Sequence, residues 1–239
     1  MRVKRILTTG LAAAVTAAIL LSAPSGQGAS TPSGPAGQSG SSPKLGAGPE
    51  LDRKVQAFLD SHAREWRDMN VPEADGRILY DLVLEHKYTR ALEIGTSTGH
   101  SGIWIAWALS KTGGKLITVD IDEGRHSEAV ASFREAGLDA WIDARLADAH
   151  ELVPALPGPF DFVFCDADKD WYKNYFVAVQ PKLTVGGCFA AHNVSARMRR
   201  GGWGSGDFVE HVLSLPFMET TFAEGSWSGI SVSYKRAEK

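Results

Sequence analysis

The chain has 239 residues, of which 44% are hydrophobic, and a formal net charge of -3 at pH 7. This length and apolar content are typical of one ordinary domain with a full hydrophobic core. The charge is close to balance, and the longest basic group is the short one formed by Arg197, Arg199 and Arg200, so the sequence argues against nucleic acid as a partner.

The N-terminal residues have the pattern of an export signal. Arg2, Lys4 and Arg5 precede an apolar run from Ile6 to Ala23, and small residues follow. This order predicts a signal peptide over residues 1–29 and a periplasmic or secreted protein. The alternative is an uncleaved signal anchor, since the run is close to the shortest length that spans a membrane. Contact with a membrane is expected only through such an anchor.

Residues 30–48 are rich in Ser, Gly and Pro. Because they contain few apolar side chains that could offset the entropy lost on folding, we predict a disordered linker there. The folded domain is then expected over residues 49–239.

This domain begins with two predicted helices. The apolar residues from Leu51 to Trp66 recur at steps of three and four, and Pro72 begins a second helix. Short apolar runs then alternate with helical segments, which is typical of parallel strands joined by crossover helices. The runs are RALEI, KLITV, AWIDA, FDFVFC and GCFAA. The last segment predicts an antiparallel hairpin around Gly225.

Together these elements predict an α/β fold of the Rossmann-like, doubly wound class. Its sheet is mostly parallel, has seven strands with helices on both faces, and is closed by the C-terminal antiparallel hairpin. The two cysteines, Cys165 and Cys188, fall at different heights in their predicted strands, so we expect buried free thiols rather than a disulfide.

The segment ALEIGTSTGHSG, residues 91–102, joins the first predicted strand to a helix through a glycine loop. The dinucleotide pattern Gly-x-Gly-x-x-Gly, aligned on Gly95, would need glycine where Ser97 and His100 stand. This difference disfavours a pyrophosphate ligand and therefore a nicotinamide dehydrogenase. A glycine turn that only allows close packing of strand and helix is the alternative.

Glu93 lies two residues before Gly95. A carboxylate there would repel phosphate but would suit a ligand that carries an ammonium and a sulfonium, as S-adenosylmethionine (SAM) does. The carboxylate of SAM could bind the free N–H groups at the start of the following helix, around His100 and Ser101. Gly95 and Gly99 would let the backbone approach the ligand closely.

Two more acidic residues follow predicted strands. Asp120 ends the second strand, where its two oxygens could accept both ribose hydroxyls, although a dinucleotide fold would use the same contact. Asp148 follows the third strand and could contact the adenine edge. For both residues, capping of a helix is the alternative.

Three segments in order resemble the small SAM-dependent O-methyltransferases of the catechol and caffeoyl-CoA type. They are MNVPEADGRILYDLVLEH, ALEIGTSTGHSG and FDFVFCDADKDWYKNY, and the similarity runs from about Asp68 to Tyr234. The resemblance implies a class I methyltransferase and a set of cofactor-binding residues: Met69, Val71, Glu93, Gly95, Thr96, Ser97, Gly99, Ser101, Asp120, Asp148, Ala149 and Asp166.

The resemblance also implies the chemistry. Asp166 matches the first carboxylate ligand of the family's divalent metal, and Lys169 matches the lysine that acts as general base. Tyr172 and Tyr175 fall on matching tyrosines, so Lys169 and Tyr172 are expected to contact the acceptor, with simple packing of the tyrosines as the alternative. A hydroxyl oxygen of the acceptor would attack the sulfonium methyl group in line, and loss of the hydroxyl proton would be helped by the metal and the lysine.

The sequence departs from the family at the next metal ligands. His192 and Asn193 stand where the family has an Asp-Asn pair. An imidazole in place of a carboxylate removes one negative charge, which weakens the case for Mg and leaves Mn, Fe or Zn. The alternatives are a site without metal in which His192 is the base, and a purely structural His192.

Residues 195–207, SARMRRGGWGSGD, replace the family's acceptor-contacting loop. We expect Trp203 in this loop to offer an aromatic face to a planar acceptor.

The sequence therefore predicts an exported O-methyltransferase that moves a methyl group from SAM to a hydroxyl of a small phenolic or catecholic acceptor. SAM is made in the cytoplasm, whereas the leader predicts export. Three alternatives would reconcile these points: a supply of SAM outside, a misassigned start codon on a cytoplasmic protein, or a catalytically degenerate exported module that binds a ligand without turnover. The oligomeric state is open, with a homodimer as one option.

Overall fold

The computed structural model describes residues 48–66, 69–195, 198 and 205–238. The predicted signal peptide, all but the last residue of the predicted linker, and Trp203 lie outside the described residues. Within the described ranges, no helix combines the length and the apolar character needed to cross a membrane.

Helices and strands alternate along most of the described chain. The helices are α1 (Pro49–His62), α2 (Glu73–His86), α3 (His100–Thr112), α4 (Glu123–Ala136), α5 (Ala149–Ala155), α6 (Tyr172–Val179) and α7 (Gly206–Ser214). The strands are β1 (Arg90–Ile94), β2 (Lys115–Asp120), β3 (Ile142–Leu146), β4 (Phe160–Cys165), β5 (Leu183–His192), β6 (Met218–Phe222) and β7 (Ile230–Lys235). Short 3-10 turns lie at Asp139–Trp141, Lys169–Trp171 and Gln180–Lys182.

The described strands form one seven-stranded sheet in the order β3-β2-β1-β4-β5-β7-β6. Strands β1 to β5 are parallel, and β7 is antiparallel to both of its neighbours, β5 and β6. The chain first builds outward from β1 to β3 and then returns to add β4 on the other side of β1, so the strand order reverses between β1 and β4. The predicted doubly wound sheet with a C-terminal hairpin is confirmed.

Two predicted strands match the structure residue for residue, and others are shifted. RALEI and FDFVFC are β1 and β4. The predicted strand AWIDA instead begins at Ile142, because Asp139–Trp141 form a 3-10 turn. Strand β5 starts at Leu183, ahead of the run GCFAA, because Leu183 pairs with Phe160 across a register shift. The first helix ends at His62 rather than at Trp66.

The two cysteines lie on neighbouring strands but out of register. Cys165 pairs with Ala191, whereas Cys188 pairs with Phe162. Both thiols are buried and free, as expected.

The alternation of side chains along β1 places a carboxylic acid inside the protein. Leu92 and Ile94 pack in the core on the side of α6 and α7, whereas Ala91 packs in the core on the side of α2 and α3. Glu93 faces the same side as Ala91, since side chains two apart in a strand share a face. Glu93 is 0% exposed and lies beneath the first turn of α3, where its Oε2 would be 3.1 Å from a Cβ placed on Gly102.

Candidate active site

The residues that follow the central parallel strands lie along one edge of the sheet. Gly95 follows β1, Asp120 ends β2, Asp166 follows β4 and His192 ends β5. Ligands of open α/β sheets bind beyond this edge, at the point where the strand order reverses. The fold thus brings the predicted cofactor-binding and catalytic residues to one place.

The loop after β1 needs its glycines. Gly95 has φ of +99°, and a Cβ there would lie 2.9 Å from the backbone of Asp166. Gly99, with φ of 103°, is the N-cap of α3 and provides no side-chain cap. The first N–H groups of α3 are therefore available to an anionic group.

A cleft of about 250 Å³ opens beside this loop. Of the predicted cofactor-binding residues, those that line the cleft are Met69, Gly95, Asp120, Asp148 and Ala149. Further lining residues are Val119, Ile121, His150, Ala167, Asp168 and Tyr175. Ile121 is 70% exposed, so it offers an apolar surface to a ligand in the cleft.

Asp120 and Asp148 are held in place by backbone N–H groups. Oδ2 of Asp120 accepts the N–H of Ser97 at 2.7 Å, and Oδ1 accepts the N–H of Asp122 at 2.9 Å. Each carboxylate oxygen keeps a lone pair for a ligand hydroxyl. Oδ1 of Asp148 accepts the N–H of His150 at 2.8 Å and so caps α5. The capping role considered for Asp148 is real, and this residue also lines the cleft.

Glu93 forms hydrogen bonds below the cleft rather than in its wall. The hydroxyl of Thr118 donates to Oε2 at 2.6 Å, and the hydroxyl of Ser101 also bonds this side chain. Burial raises the pKa of Glu93 to about 8, although these two hydrogen bonds favour the ionised form. Oε1 is buried and has no hydrogen-bond partner among the described residues. The carboxyl group predicted at the strand tip is therefore buried under the start of α3.

Other predicted cofactor-binding residues lie behind the cleft wall. Val71 and Thr96 are buried, and the Thr96 hydroxyl lies 2.5 Å from that of Thr118. The carbonyl of Val71 accepts a hydrogen bond from Nδ1 of His100 at 2.8 Å. Burial lowers the pKa of His100 to about 4, so this imidazole is neutral and joins α3 to the segment before α2. Ser97 lies on the loop with φ of 49°.

Lys169 is fixed at the end of β4 by two neighbours. Its Nζ donates to Oδ1 of Asp166 and, at 2.9 Å, to the hydroxyl of Tyr172. The Tyr172 hydroxyl donates to the carbonyl of His192 at 3.1 Å. Burial raises the pKa of Tyr172 far above its usual range, so the phenol stays protonated. Since Tyr172 is 0% exposed, the expected direct contact with the acceptor does not fit, and its role here is to hold Lys169.

His192 lies between two carboxylates. Its Nε2 is 2.8 Å from Oδ2 of Asp75, which comes from α2, and its Nδ1 is 3.0 Å from Oδ2 of Asp166. Burial alone would lower the pKa of His192, but the hydrogen bonds and charges of Asp166 and Asp75 outweigh it and raise the pKa to about 9. Burial opposes ionisation of Asp75, yet hydrogen bonds from His192, Ser226 and Ser228 leave its pKa lowered. The imidazole is therefore an imidazolium held by two carboxylates.

The turn between β6 and β7 reaches the same region. Ser226 and Ser228 approach Asp75, and the carbonyl of Gly229 accepts the N–H of Val194 at 3.1 Å, just beyond His192. Between the two serines, Trp227 is 99% exposed. An indole is thus displayed to solvent next to the buried Asp75–His192 pair.

This geometry can be compared with known proteins. The sequence profile of the O-methyltransferase family matches residues 51–197 of the chain, which includes every strand from β1 to β5. The chain belongs to the O-methyltransferase family.

Similar curated O-methyltransferases act on aromatic hydroxyl compounds, according to their names. A catechol O-methyltransferase of Niastella koreensis is 37% identical over 112 residues, which cover 45% of this chain and 50% of that protein. A flavonoid 3',5'-methyltransferase of Vitis vinifera is 31% identical, and the match covers 58% of this chain and 60% of that protein. A caffeoyl-CoA O-methyltransferase of Stellaria longipes is 30% identical, and the match covers 59% of this chain and 60% of that protein. The chain thus spans half to three fifths of the length of these relatives.

Solved O-methyltransferases share the fold over more of the chain. An O-methyltransferase of Bacillus cereus in complex with SAH has a TM-score of 0.65 at 24% identity and covers 77% of this chain and 91% of its own. An O-methyltransferase from Klebsiella pneumoniae, assigned as putative, has a TM-score of 0.65 at 25% identity, with 81% and 93% covered.

The structure gives no support for the metal set implied by the resemblance to catechol-type enzymes. Nε2 of His192 is hydrogen-bonded to Asp75, whereas Nδ1 lies 3.0 Å from Oδ2 of Asp166 without forming a hydrogen bond. One oxygen of Asp166 faces His192 and the other accepts from Lys169. Asn193, the third expected ligand, has a left-handed backbone with φ of 56°. Among the described residues, no group of three or more His, Cys, Asp or Glu side chains could hold a metal ion.

A role for His192 as general base is disfavoured, because the contacts with Asp166 and Asp75 outweigh burial and raise its pKa to about 9, so the ring already carries the proton near neutral pH. Its partner Asp75 has no local signal in the sequence, since an acidic residue in the first turn of a helix is ordinary. His150 was also missed: it lines the cleft and stacks on Trp171 with ring centroids 3.8 Å apart.

Proposed function

We propose that this chain is a SAM-dependent O-methyltransferase that methylates a hydroxyl group of a small acceptor. One observation carries the proposal: the cleft at the strand-order reversal runs from Gly95 and Asp120 to Ala167 and Asp168, beside the Asp166–Lys169 pair. A cofactor site and a proton-handling side chain are therefore adjacent. The names of the catechol, flavonoid and caffeoyl-CoA relatives support the same activity.

The cleft residues suit the parts of SAM, which supplies a methyl group on a positively charged sulfur. Asp120 would accept hydrogen bonds from the ribose hydroxyls. Ile121 and Ala149 would make apolar contacts with the adenine. The N–H groups at the start of α3 would bind the carboxylate, and Glu93 below the same turn would provide a negative charge for the cationic end of the ligand.

Lys169 is the residue we assign to the acceptor's hydroxyl group. Its side chain is 38% exposed, so Nζ can reach a ligand while Asp166 and Tyr172 keep it in place. As a neutral amine, Nζ can donate its two N–H groups to Asp166 and Tyr172 while its lone pair takes up the hydroxyl proton of the acceptor, as the acceptor oxygen attacks the methyl group. Asp166 and Tyr172 act as positioning residues, and the main contribution of the protein is alignment of the reacting atoms.

A phenolic or catecholic acceptor is the substrate class that we infer. Trp227 supports it, since its neighbours Ser226 and Ser228 contact Asp75 and an exposed indole can stack on a planar ring. Trp203, the aromatic residue expected from the sequence to do this, lies outside the described residues and stays a second candidate.

The cofactor assignment is tested by titrating the purified protein with S-adenosylhomocysteine (SAH) in a calorimeter. We expect one site per chain and loss of binding in Asp120→Ala. Asp139→Ala is the matched control, because Asp139 is exposed in the turn before β3 and does not line the cleft. Failure of the native protein to bind SAH would overturn the proposal.

The reaction is tested with labelled SAM and a panel of catechols, phenols and aliphatic alcohols. Transfer to the phenols and catechols, lost in Lys169→Met, is the expected result. Binding of SAH without transfer to any acceptor would instead favour a module that binds a ligand without turnover.

Export remains our proposal for residues 1–29. N-terminal sequencing of the protein recovered from a homologous bacterial host, together with its distribution between cytoplasm and exterior, tests it. An intact N-terminus on a cytoplasmic protein would contradict export.

The oligomeric state is a separate question. Size-exclusion chromatography with light scattering would determine whether a homodimer forms.

A further inference from the structure

The start of α3 is tied to the segment that leads into α2. We name residues 69–72 the entry segment. Nδ1 of His100 donates a hydrogen bond to the carbonyl of Val71 at 2.8 Å. Nδ2 of Asn70 donates to the hydroxyl of Thr98 at 2.9 Å, and that hydroxyl lies 3.2 Å from Oδ1 of Asn70. The entry segment is therefore held against the glycine loop and the first residue of α3.

His100 uses both ring nitrogens and one ring face in this region. Its Nε2 accepts the indole N–H of Trp104 at 3.0 Å, while its Nδ1 donates to Val71. The ring of Trp66 stacks on the imidazole, with centroids 4.6 Å apart and planes 8° apart. Because a carbonyl only accepts and an indole N–H only donates, these two partners fix the neutral tautomer with its proton on Nδ1. His100 is 3% exposed, so little water is available to replace these bonds if they are lost.

The backbone of His100 belongs to the turn that would bind the carboxylate of SAM. The N–H of Ile103 already donates to the carbonyl of Gly99 at 2.9 Å. The N–H groups of residues 100–102 come before it and have no carbonyl of an earlier helical turn, so they are the ones available to an anion. A carboxylate bound there needs these groups to be aligned, since a hydrogen bond weakens steeply as it departs from a straight line. The orientation of this turn thus sets the affinity for the carboxylate.

The side chains of the first turn of α3 can fix that orientation. Gly99 supplies no side-chain cap and has φ of 103°, so the loop that leads into the helix has little rigidity of its own at this residue. Ser101 bonds the buried Glu93 of β1 below the turn. His100 bonds the entry segment, which also carries Met69 from the wall of the cleft. The turn is therefore anchored to two different parts of the fold.

We propose that His100 is a positioning residue for the cofactor: by fixing the first turn of α3 to the entry segment, it holds the N–H groups in line with the carboxylate of SAM. This inference rests on the proposed function. It assigns no contact between the imidazole and the ligand, because both ring nitrogens already have partners in the protein.

The test compares SAM with decarboxylated SAM, which keeps the sulfonium and the ammonium and lacks only the carboxylate. Calorimetry on the full chain gives the affinity for each. His100→Phe keeps a ring that can stack on Trp66 but loses both hydrogen bonds. We expect this variant to bind SAM at least about tenfold more weakly, the equivalent of one lost hydrogen bond to a charged group, and to bind decarboxylated SAM as well as the native protein does.

Tyr88→Phe is the matched control. Tyr88 is also a buried ring whose polar group donates to a backbone carbonyl, that of Gly186 at 2.9 Å, and neither residue lines the cleft. This variant should lose stability but keep both affinities. His100→Gln, whose amide can both donate and accept, should recover part of the affinity for SAM.

A folded His100→Phe that loses affinity for both ligands equally, or for neither, would overturn the inference. If it does not fold, Trp66→Leu decides, since it removes the stacking contact at a half-buried position. It should weaken the binding of SAM alone, by a smaller factor, and an equal effect on the two ligands or no effect would overturn the inference. Failure of the native protein to bind SAM would instead contradict the proposed function.

Discussion

Nε2 of His192 lies 2.8 Å from Oδ2 of Asp75, a residue 117 positions earlier in the chain. The contact joins α2 to the end of β5, and the other side of the imidazole faces Asp166. The sheet edge where the sequence predicted a metal ligand at His192 therefore carries an ion pair between the protein's own side chains.

The stability that this pair provides should decrease as pH rises from about 6.5 to about 9. The folded-state pKa of His192 is raised from 6.5 to about 9, so the folded protein binds this proton more tightly than the unfolded chain does. The contribution of this proton to the free energy of unfolding is complete below about pH 6.5 and is lost above about pH 9. Urea titrations at several pH values measure the free energy of unfolding across this range.

Asp75→Asn is the informative variant for this prediction. It keeps the shape of the side chain but removes the charge, and it should lower the free energy of unfolding by about 1.5–3 kcal/mol at pH 6, the usual contribution of a hydrogen bond to a charged group. The decline with pH should be shallower than in the native protein. Parallel pH profiles for the two proteins would contradict the assigned pair.

SAM binding should release a proton at pH 7. Burial raises the pKa of Glu93 to about 8, so the carboxyl is mostly protonated before a ligand binds. A cationic ligand favours the ionised form and expels the proton. Calorimetry in buffers with different ionisation enthalpies counts the protons released.

Glu93→Gln should abolish this release and weaken SAM binding by about tenfold, the equivalent of one pKa unit of charge interaction. The same variant should make the ligand-free protein more stable by an amount that grows from about pH 4.5 to about pH 8 and is constant above that, because the native side chain ionises more easily when unfolded and its burial then opposes folding. Unchanged proton release in Glu93→Gln would show that another group is responsible.

Gly95→Ala should abolish SAH binding. The added Cβ would lie 2.9 Å from the Asp166 backbone, and φ is +99°. Gly186→Ala is the matched control, since Gly186 has a φ of +86° but no atom within 4 Å of the added Cβ. Both variants should lose about 1–2 kcal/mol of stability from the strained backbone. SAH binding, measured by calorimetry, should be lost only in Gly95→Ala; equal binding by the two variants would argue against close approach of the ligand to this loop.

Trp227→Ala should raise KM for a catechol about fivefold and leave kcat for the saturated enzyme unchanged, as expected for loss of one aromatic contact. The free energy of unfolding should differ from that of the native protein by less than about 0.5 kcal/mol, because the side chain of Trp227 is 99% exposed. Trp227→Phe should restore most of the affinity. Steady-state kinetics with a catechol and an aliphatic alcohol check the prediction, and an equal change for both acceptors would rule out stacking.

The sequence predicted those parts of the fold that depend on local apolar patterns. Strands β1 and β4 are buried on both faces, and their residues form continuous apolar runs that mark their ends. Strand β3 is less buried, and the residues directly before it, Asp139–Trp141, form a 3-10 turn that the pattern does not reveal. Gly95, Asp120 and Asp148 line the cleft because they lie at the ends of strands or just beyond them.

The charges within the site were less predictable. Glu93 was expected to be a carboxylate at the strand tip, but the two-residue alternation of β1 places it under α3, where burial raises its pKa to about 8. Asp75 has no local signal at all, since its partner His192 is reached only through the packing of α2 on the sheet. The protonation of Asp75 and His192 depends on the contact between α2 and the end of β5. The spacing of residues within either segment does not reveal this contact.

The position of β7 has a consequence for assembly of the protein. This strand follows β6 in the chain, yet it inserts between β5 and β6 and pairs with β5 up to His192, which lies opposite Ile230. A nascent chain that has emerged only as far as β6 leaves the outer backbone groups of β5 open to pairing with other molecules. The sheet edge that carries His192 is therefore completed only after β7 has emerged, and a truncation within Ile230–Lys235 should cause aggregation rather than a soluble, partly folded protein.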